Sequence, residues 1–257
     1  MRQILSKYSG EHQSIFIVFI GDVHFGNKYF NHSYLENALN FVASHRQRCR
    51  LVLMGDLLEA ATKTSVGRAV YDENYPTQKQ FEKAVETFLP FAENIDLVLE
   101  GNHEERIIKD TSFEITQEMC HRWGRIDAYG KFSAVVNFNL SGGLTYSLYA
   151  WHGATSSTRE SGAINGLLGM RERCVAHIYA MGHTHKLLTV PKKIVVPNPS
   201  QERVQEVEQL FINTGSALDY GGYGEQKGFS LVKAGFGAVQ IFADKRKMIF
   251  HKIEDLV

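Results

Sequence analysis

The chain has 257 residues, 44% of them hydrophobic, and its 28 lysines and arginines match its 28 aspartates and glutamates. Such a length suffices for one core over residues 1–257 as a single domain, and the balanced charge excludes an overall field drawing the protein to nucleic acid or an anionic membrane. The longest early apolar run is too short to span a bilayer, and the polar start MRQILSKYSGEHQ lacks the organisation of a secretory signal. A cytoplasmic protein with no membrane contact is expected. Its three widely spaced cysteines, Cys49, Cys120 and Cys174, form no CxxC pair and are expected as reduced, buried small hydrophobes.

Taken in chain order, the apolar run Ile15 to Ile20 reads as a strand covered on both faces, because it is continuous rather than alternating. Ser33 and Glu36 form a capping-box signature ahead of Leu35, Ala38, Leu39 and Val42, which share one helical stripe. Arg46, Arg48 and Arg50 are expected to close that helix, where positive charge complements its dipole. LVLM at 51–54 is a second strand. Thr77 and Gln80 then cap a helix bearing Phe81, Ala84, Val85, Phe88 and Leu89 on one face, with Pro90 near its end, and LVL at 97–99 is a third strand. This alternation predicts parallel strands joined by crossover helices.

After about residue 125 the texture changes. KFSAVVNFNL and LTYSLYAW, joined at SGG, read as a hairpin. Ile164, Leu167, Leu168 and Arg171 mark a further helix, and IYAM at 178–181 a further strand. The segments VQEVEQLFINTG and GAVQIFADKRKMIFHKI look like antiparallel strands, the last two joined around Asp244 and Lys245, while the glycine-rich DYGGYGEQKG at 219–228 reads as a surface loop. A mixed α/β fold, two sheets packed face to face and flanked by helices, satisfies both halves.

Five of these apolar runs end in turns that carry potential metal ligands: GDVH, GDLLE, GNHEE, WHG and GHTH. Ligands in open α/β sheets bind outside the carboxyl ends of strands, where separate turns converge. Glycine before the ligand is expected to let the backbone turn sharply. Asp22, His24, Asp56, Asn102, His152, His183 and His185 together offer carboxylates, an amide oxygen and imidazoles, a mixed set suited to transition ions rather than to calcium or magnesium. Seven ligands are too many for one such ion. Two ions sharing a carboxylate polarise both the attacking and leaving oxygens when about 3.5–4 Å apart. With two carboxylates and one hydroxide the centre stays positive, so an anionic phosphoester substrate follows.

The ordered set resembles the calcineurin-like metallophosphoesterase superfamily, whose pattern is GDxH, GDxx(D/E), GNH(D/E), a lone His, then GHxH; the blocks here span residues 21 to 185. That resemblance implies a four-layer αββα sandwich. It implies that Asp22, His24, Asp56 and His185 hold one divalent ion, and that Asp56, Asn102, His152 and His183 hold the other, with Asp56 as the bridge. Manganese is the first expectation, with iron, zinc, nickel and cobalt as alternatives. His103 would act as general acid near the leaving group, oriented by Glu104, during in-line attack by a hydroxide held between the ions, with no covalent enzyme intermediate. Asn102 and Arg106 are candidate substrate contacts, although Arg106 reads equally as a solvated helix arginine. Glu59 reads either as an acid behind the ligands or as a helix-start residue. NTGS at 213–216 resembles a turn found after GHxH in phosphodiesterase-like members, or a plain strand-ending turn. His32, His45, His121, His177 and His251 lie outside the blocks and are expected to be structural or surface residues.

Protein phosphatases of the superfamily carry GDxxDRG and lack GHxH, whereas this chain has GDLLEA and an intact GHTH. Lipid-precursor pyrophosphohydrolases usually have arginine where this chain has His103. The phosphodiesterase and nuclease-like group remains, so nucleic acid or nucleotides are the expected substrates. A phosphomonoesterase acting on a small molecule or phosphoprotein is the alternative, followed by a scaffold without chemistry. Substrate choice is expected to reside after residue 104 and near 220.

Overall fold

The computed structural model describes residues 1–8, 10, 12–62, 65, 73–154, 159–198, 203–221 and 234–257. Strands β1 (Arg2–Lys7) and β2 (Ser14–Ile20) precede helix α1 (His32–Ser44); β3 (Cys49–Leu53), α2 (Thr77–Phe88) and β4 (Ile95–Leu99) follow. Next come α3 (Asn102–Thr111), α4 (Ile115–Arg122), β5 (Tyr129–Lys131), β6 (Ser133–Asn139) and β7 (Thr145–Trp151). The chain continues through α5 (Glu160–Gly169), β8 (Ile178–Met181), β9 (Leu187–Asn198), β10 (Arg203–Ser216), β11 (Gly235–Phe242) and β12 (Met248–Lys252).

One sheet runs β12, β11, β2, β3, β4, β5, with β2 to β5 parallel and β11 antiparallel to both β2 and β12. The other runs β1, β6, β7, β8, β10, β9, with antiparallel pairing in the β6–β7 hairpin and between β9 and β10. The end of β10 also pairs with β11, Gly215 opposite Phe236, which links the sheets into one 12-stranded mixed path.

β2 explains why its sequence does not alternate. Phe16, Val18 and Ile20 face a cluster shared with Phe41 of α1, Phe88 of α2 and Cys120 of α4, while Ile15, Ile17 and Phe19 face Val136, Leu148 and Ile212 of the opposite sheet. Both faces are therefore apolar, and each fully buried side chain of this kind contributes about 1.5–3 kcal/mol. A third cluster, with Tyr149, Tyr179 and Phe211 against Leu167 and Met170, seats α5 on the outer face of the second sheet. Helices, sheet, sheet, helix is the expected four-layer order. Among the described residues no helix is long and apolar enough to cross a membrane.

Several local expectations are corrected. The N-cap of α1 is Asn31, whose Oδ1 accepts from the Ser33 amide at 3.0 Å, so Ser33 already lies inside the helix. Pro76 precedes α2, and Gln80, instead of capping, is buried with its Oε1 accepting from the Ala60 amide at 2.8 Å. Arg46, Arg48 and Arg50 lie beyond α1: Arg46 and Arg48 sit on a 3₁₀ turn, Arg48 donates to the Ser14 carbonyl, and Arg50 lies in β3 in an ion pair with Asp96. Cys49 and Cys120 are buried, but Cys174 is partly exposed. NTGS forms the last residues of β10 rather than a turn. Most of the expected glycine-rich loop, from residue 222 onward, lies outside the described residues.

Candidate metal centre

Because β2, β3 and β4 run parallel and the second sheet packs against them, the ends of five strands open into one crevice. Asp22 and His24 follow β2, Asp56 follows β3, Asn102 opens α3 after β4, His152 follows β7, and His183 and His185 follow β8. Asp22, His24 and His185 bring ligand atoms within 4.8 Å of one another, and so do Asp56, His152 and His183. The Asn102 amide oxygen lies 3.1 Å from His152 Nε2 and 2.7 Å from His183 Nδ1, which adds it to the second group. All seven residues expected from the sequence thus come together. His45, His177 and His251 bond elsewhere, to the Phe41 carbonyl, Ser147 and Gln240 respectively.

The backbone reaches this arrangement in an unexpected way. Asp22, His24, Asp56, His183 and His185 all adopt positive φ, between 48° and 65°. For residues with a Cβ each such conformation costs on the order of 1 kcal/mol or more. Hydrogen bonds hold it in place: the Asp22 amide donates to the Gly55 carbonyl at 2.9 Å and the His24 amide to the Asp56 carbonyl at 3.1 Å. Gly55, ahead of Asp56, turns at φ 89° as expected of glycine, whereas in the first and fifth blocks the ligands themselves make the turns. Gly101 and Gly182, with ordinary φ, serve another purpose: a Cβ on Gly101 would lie 2.0 Å from Asp56 Oδ1, and one on Gly182 would lie 2.9 Å from Asp22 Oδ2.

Electrostatics favour cation binding here. Burial pushes the Asp22 and Asp56 carboxyls up, yet His185 beside Asp22 and His152 beside Asp56 outweigh it and hold both below the usual carboxylate range. Burial likewise opposes charge on His24 and His152, but Glu59 at His24 and Asp56 at His152 raise these imidazoles to about 9 and about 10. The buried carboxylates thus draw positive charge to the rings they face, although burial lowers His183 and His103, and a bound metal ion would satisfy the same demand of those carboxylates. Mixed imidazole, carboxylate and amide donors fit divalent transition ions.

Beside the ligands, His103 packs edge-on against His24 with ring centres 4.5 Å apart. Its Nδ1 lies 2.6 Å from the Glu59 carbonyl, and Arg106 places one guanidinium nitrogen 3.0 Å from its Nε2. Since a carbonyl can only accept, Nδ1 carries the ring proton and Nε2 accepts from Arg106, whose other terminal nitrogen lies 3.2 Å from Nδ1. Burial lowers the His103 pKa to about 4, so the resting ring is neutral, which any acid role must accommodate. Glu104 does not orient it. The Glu104 carboxylate instead accepts from the amides of Asp56 at 3.0 Å, Gly101 at 3.0 Å and Leu58 at 2.9 Å, locking the second and third blocks together.

Glu59 resolves into the acid behind the ligands. One carboxylate oxygen lies 3.1 Å from His24 Nδ1 and accepts from Asn27 at 2.9 Å, while the other lies 3.8 Å from His103 Nδ1. Burial would raise its pKa, but the His24 hydrogen bond and charge bring it down to about 2, so it stays ionised. The last position of GDLLE was the sequence signal for it.

The family model described as calcineurin-like phosphoesterase matches residues 16–187. None of the curated proteins matches the chain. Similar solved structures include Vacuolar Protein Sorting 29 from Cryptosporidium parvum, 13% identical, covering 94% of this chain and 98% of that one with a TM-score of 0.44. A metallophosphoesterase from Sphaerobacter thermophilus is 14% identical, with 93% and 88% covered and a TM-score of 0.42. GAP50 of Plasmodium, described as the anchor in the inner membrane complex, is 12% identical, with 94% and 89% covered and a TM-score of 0.45. At these scores the likenesses carry no weight on activity. The family match spans more than half of the chain, from within β2 to the start of β9, and includes every one of the converging ligand residues; the chain belongs to the calcineurin-like phosphoesterase family, metal-dependent hydrolases of phosphoesters.

Proposed function

We propose that the protein is a phosphodiesterase that holds two divalent ions, manganese foremost, and acts on nucleotides or nucleic acid as a single domain in the reducing cytoplasm. The observation that carries the reading is the convergence of seven nitrogen and oxygen donors in two adjacent groups. In this reading Asp22, His24 and His185 hold one ion, Asn102, His152 and His183 hold the other, and Asp56 serves both. When bound, such ions supply positive charge to the phosphoryl oxygens and lower the pKa of water. The free thiols of all three cysteines support the reducing setting.

The chain's own residues then have distinct tasks. Asn102, at the start of α3, would hold the second ion through its amide oxygen and offer its amide N–H to a phosphoryl oxygen. Arg106 brings a fixed positive charge to the His103 ring, 3.0 Å away, and the two would face a substrate anion together. An arriving phosphoryl anion raises the proton affinity of His103, whose Nε2 would take a proton from solvent and pass it to the leaving oxygen while Nδ1 keeps its own proton on the Glu59 carbonyl. Glu104 keeps the Asp56 and Gly101 amides in place throughout.

Turnover of bis(4-nitrophenyl) phosphate and of 4-nitrophenyl phosphate by the manganese-loaded protein tests the reading. The diester is expected to be the better substrate; a preference for the monoester overturns it in favour of a phosphatase. His103→Ala is expected to remove most turnover while metal content stays unchanged, and full turnover by that variant refutes the acid role.

A further inference from the structure

The inner rows of β6 and β7 face the opposite sheet: Phe138, Val136 and Ala134 on one strand, Tyr146, Leu148 and Ala150 on the other. Both rows continue by one more step at the carboxyl end of β7. The His152 amide donates to the Phe132 carbonyl at 3.2 Å, one residue beyond the Ser133–Trp151 pair, so Phe132 stands opposite His152 and on the same face. Directly opposed residues in antiparallel strands have Cβ atoms about 4.5–5.5 Å apart. The inner core row therefore ends, at the lip of the metal crevice, on an aromatic ring that is 42% exposed.

Three observations set this ring apart from an incidental surface phenylalanine. Lys131, just before it, is held at φ 57°, a left-handed conformation rare for lysine, by a hydrogen bond from the Glu100 amide to its carbonyl at 2.8 Å. That bond ties the segment to the residue after β4, two positions ahead of Asn102. Gly130 makes the close approach possible, since a Cβ there would lie 2.6 Å from Leu97 Cδ1. Finally, the Lys131 ammonium lies 5.3 Å from the Phe132 ring centre. An exposed ring and a cation are thus presented together by backbone bonded to His152 and to Glu100.

We infer that Phe132 is a specificity-determining residue: it stacks on a nucleobase of the group esterified to the scissile phosphate, and Lys131 meets a neighbouring phosphate of the same strand. A flat ring beside a cation is the pairing by which proteins hold single-stranded nucleic acid, since every base offers a π-face and every linkage a charge. The inference rests on the phosphodiesterase reading and narrows its substrate to nucleotidyl esters.

Thymidine 5′-(4-nitrophenyl phosphate) and methyl 4-nitrophenyl phosphate share a leaving group and differ only in the other ester, so they isolate the base. Phe132→Ala is expected to raise KM for the thymidine ester about 5- to 150-fold relative to the methyl ester, with Phe132→Trp restoring the discrimination. Equal losses on both esters, or a Trp variant as poor as the Ala one, overturn the inference. Binding of a short fluorescein-labelled oligothymidylate, followed by anisotropy, provides a reading without turnover. Weaker binding by Phe132→Ala supports stacking, and unchanged binding overturns it. If wild-type protein cleaves neither diester, the phosphodiesterase reading fails by itself, and the anisotropy result still decides the role of Phe132.

Discussion

The main-chain amide of His183 donates to both carboxylate oxygens of Asp22, at 3.1 and 2.9 Å, across 161 positions of sequence. The first and fifth blocks therefore orient one another through the protein alone, and the Asp22 carboxylate is aimed before any ion arrives. Asp22→Asn retains an oxygen that accepts from His183 but removes the charge. The variant is expected to fold with nearly unchanged thermal stability while binding about one divalent ion fewer per chain, as elemental analysis after dialysis would show. Full metal content in that variant would place the ion elsewhere.

Glu59 sits between His24 and His103, 3.1 Å from one ring and 3.8 Å from the other. It fixes which nitrogen of His24 faces the crevice, as carboxylates behind metal-binding histidines do. Glu59→Gln is expected to weaken divalent-ion affinity about 10- to 100-fold, measured by competition with a chromophoric chelator. A change in turnover at saturating metal without any change in affinity would instead assign Glu59 to His103.

His177 titrates away from the crevice. Burial lowers its pKa to about 4, and Arg246, 2.8 Å from Nε2, opposes protonation further. Its folded pKa lies below its unfolded value, so the unfolded chain takes up the proton first as pH falls. The stability it contributes is full above about pH 6.5 and is lost as pH falls toward about 4. Partial exposure of the ring reduces the effect to on the order of 1 kcal/mol. Urea unfolding at pH 7 and pH 5 should show a larger loss for wild type than for His177→Gln; equal losses would exclude this ring as the cause.

Burial pushes the Cys49 and Cys120 thiols up to about 12. Both should resist iodoacetamide in the folded protein at pH 8, leaving the partly exposed Cys174 as the labelled site among the three. Peptide mass spectrometry reads this directly, and rapid labelling of Cys49 would mean that β3 opens locally.

Much of the centre was legible because polar ligands stand immediately after uninterrupted apolar runs. A seven-residue buried strand such as β2 has nowhere to put Asp22 and His24 except beyond its end. The same runs announced two-sided burial and so the layered fold. Local caps were less legible: Asn31 rather than Ser33 caps α1, and Gln80, whose spacing from Thr77 suits a cap, is buried with its side chain bonded to the Ala60 amide. In both cases one side-chain bond decides among neighbouring residues of similar propensity.

The residue types and their order along the chain therefore determined by themselves which side chains meet in the crevice and what chemistry they suit. Tertiary structure alone decided how they are held. Asp22, His24, Asp56, His183 and His185 are of types that tolerate positive φ better than most, but hydrogen bonds between blocks, at the amides of Asp22, His24, Asp56 and His183, decide that they adopt it. Glu104 turned from its neighbour His103 to three amides because those amides, buried and otherwise unpaired, needed an acceptor that only folding brought near.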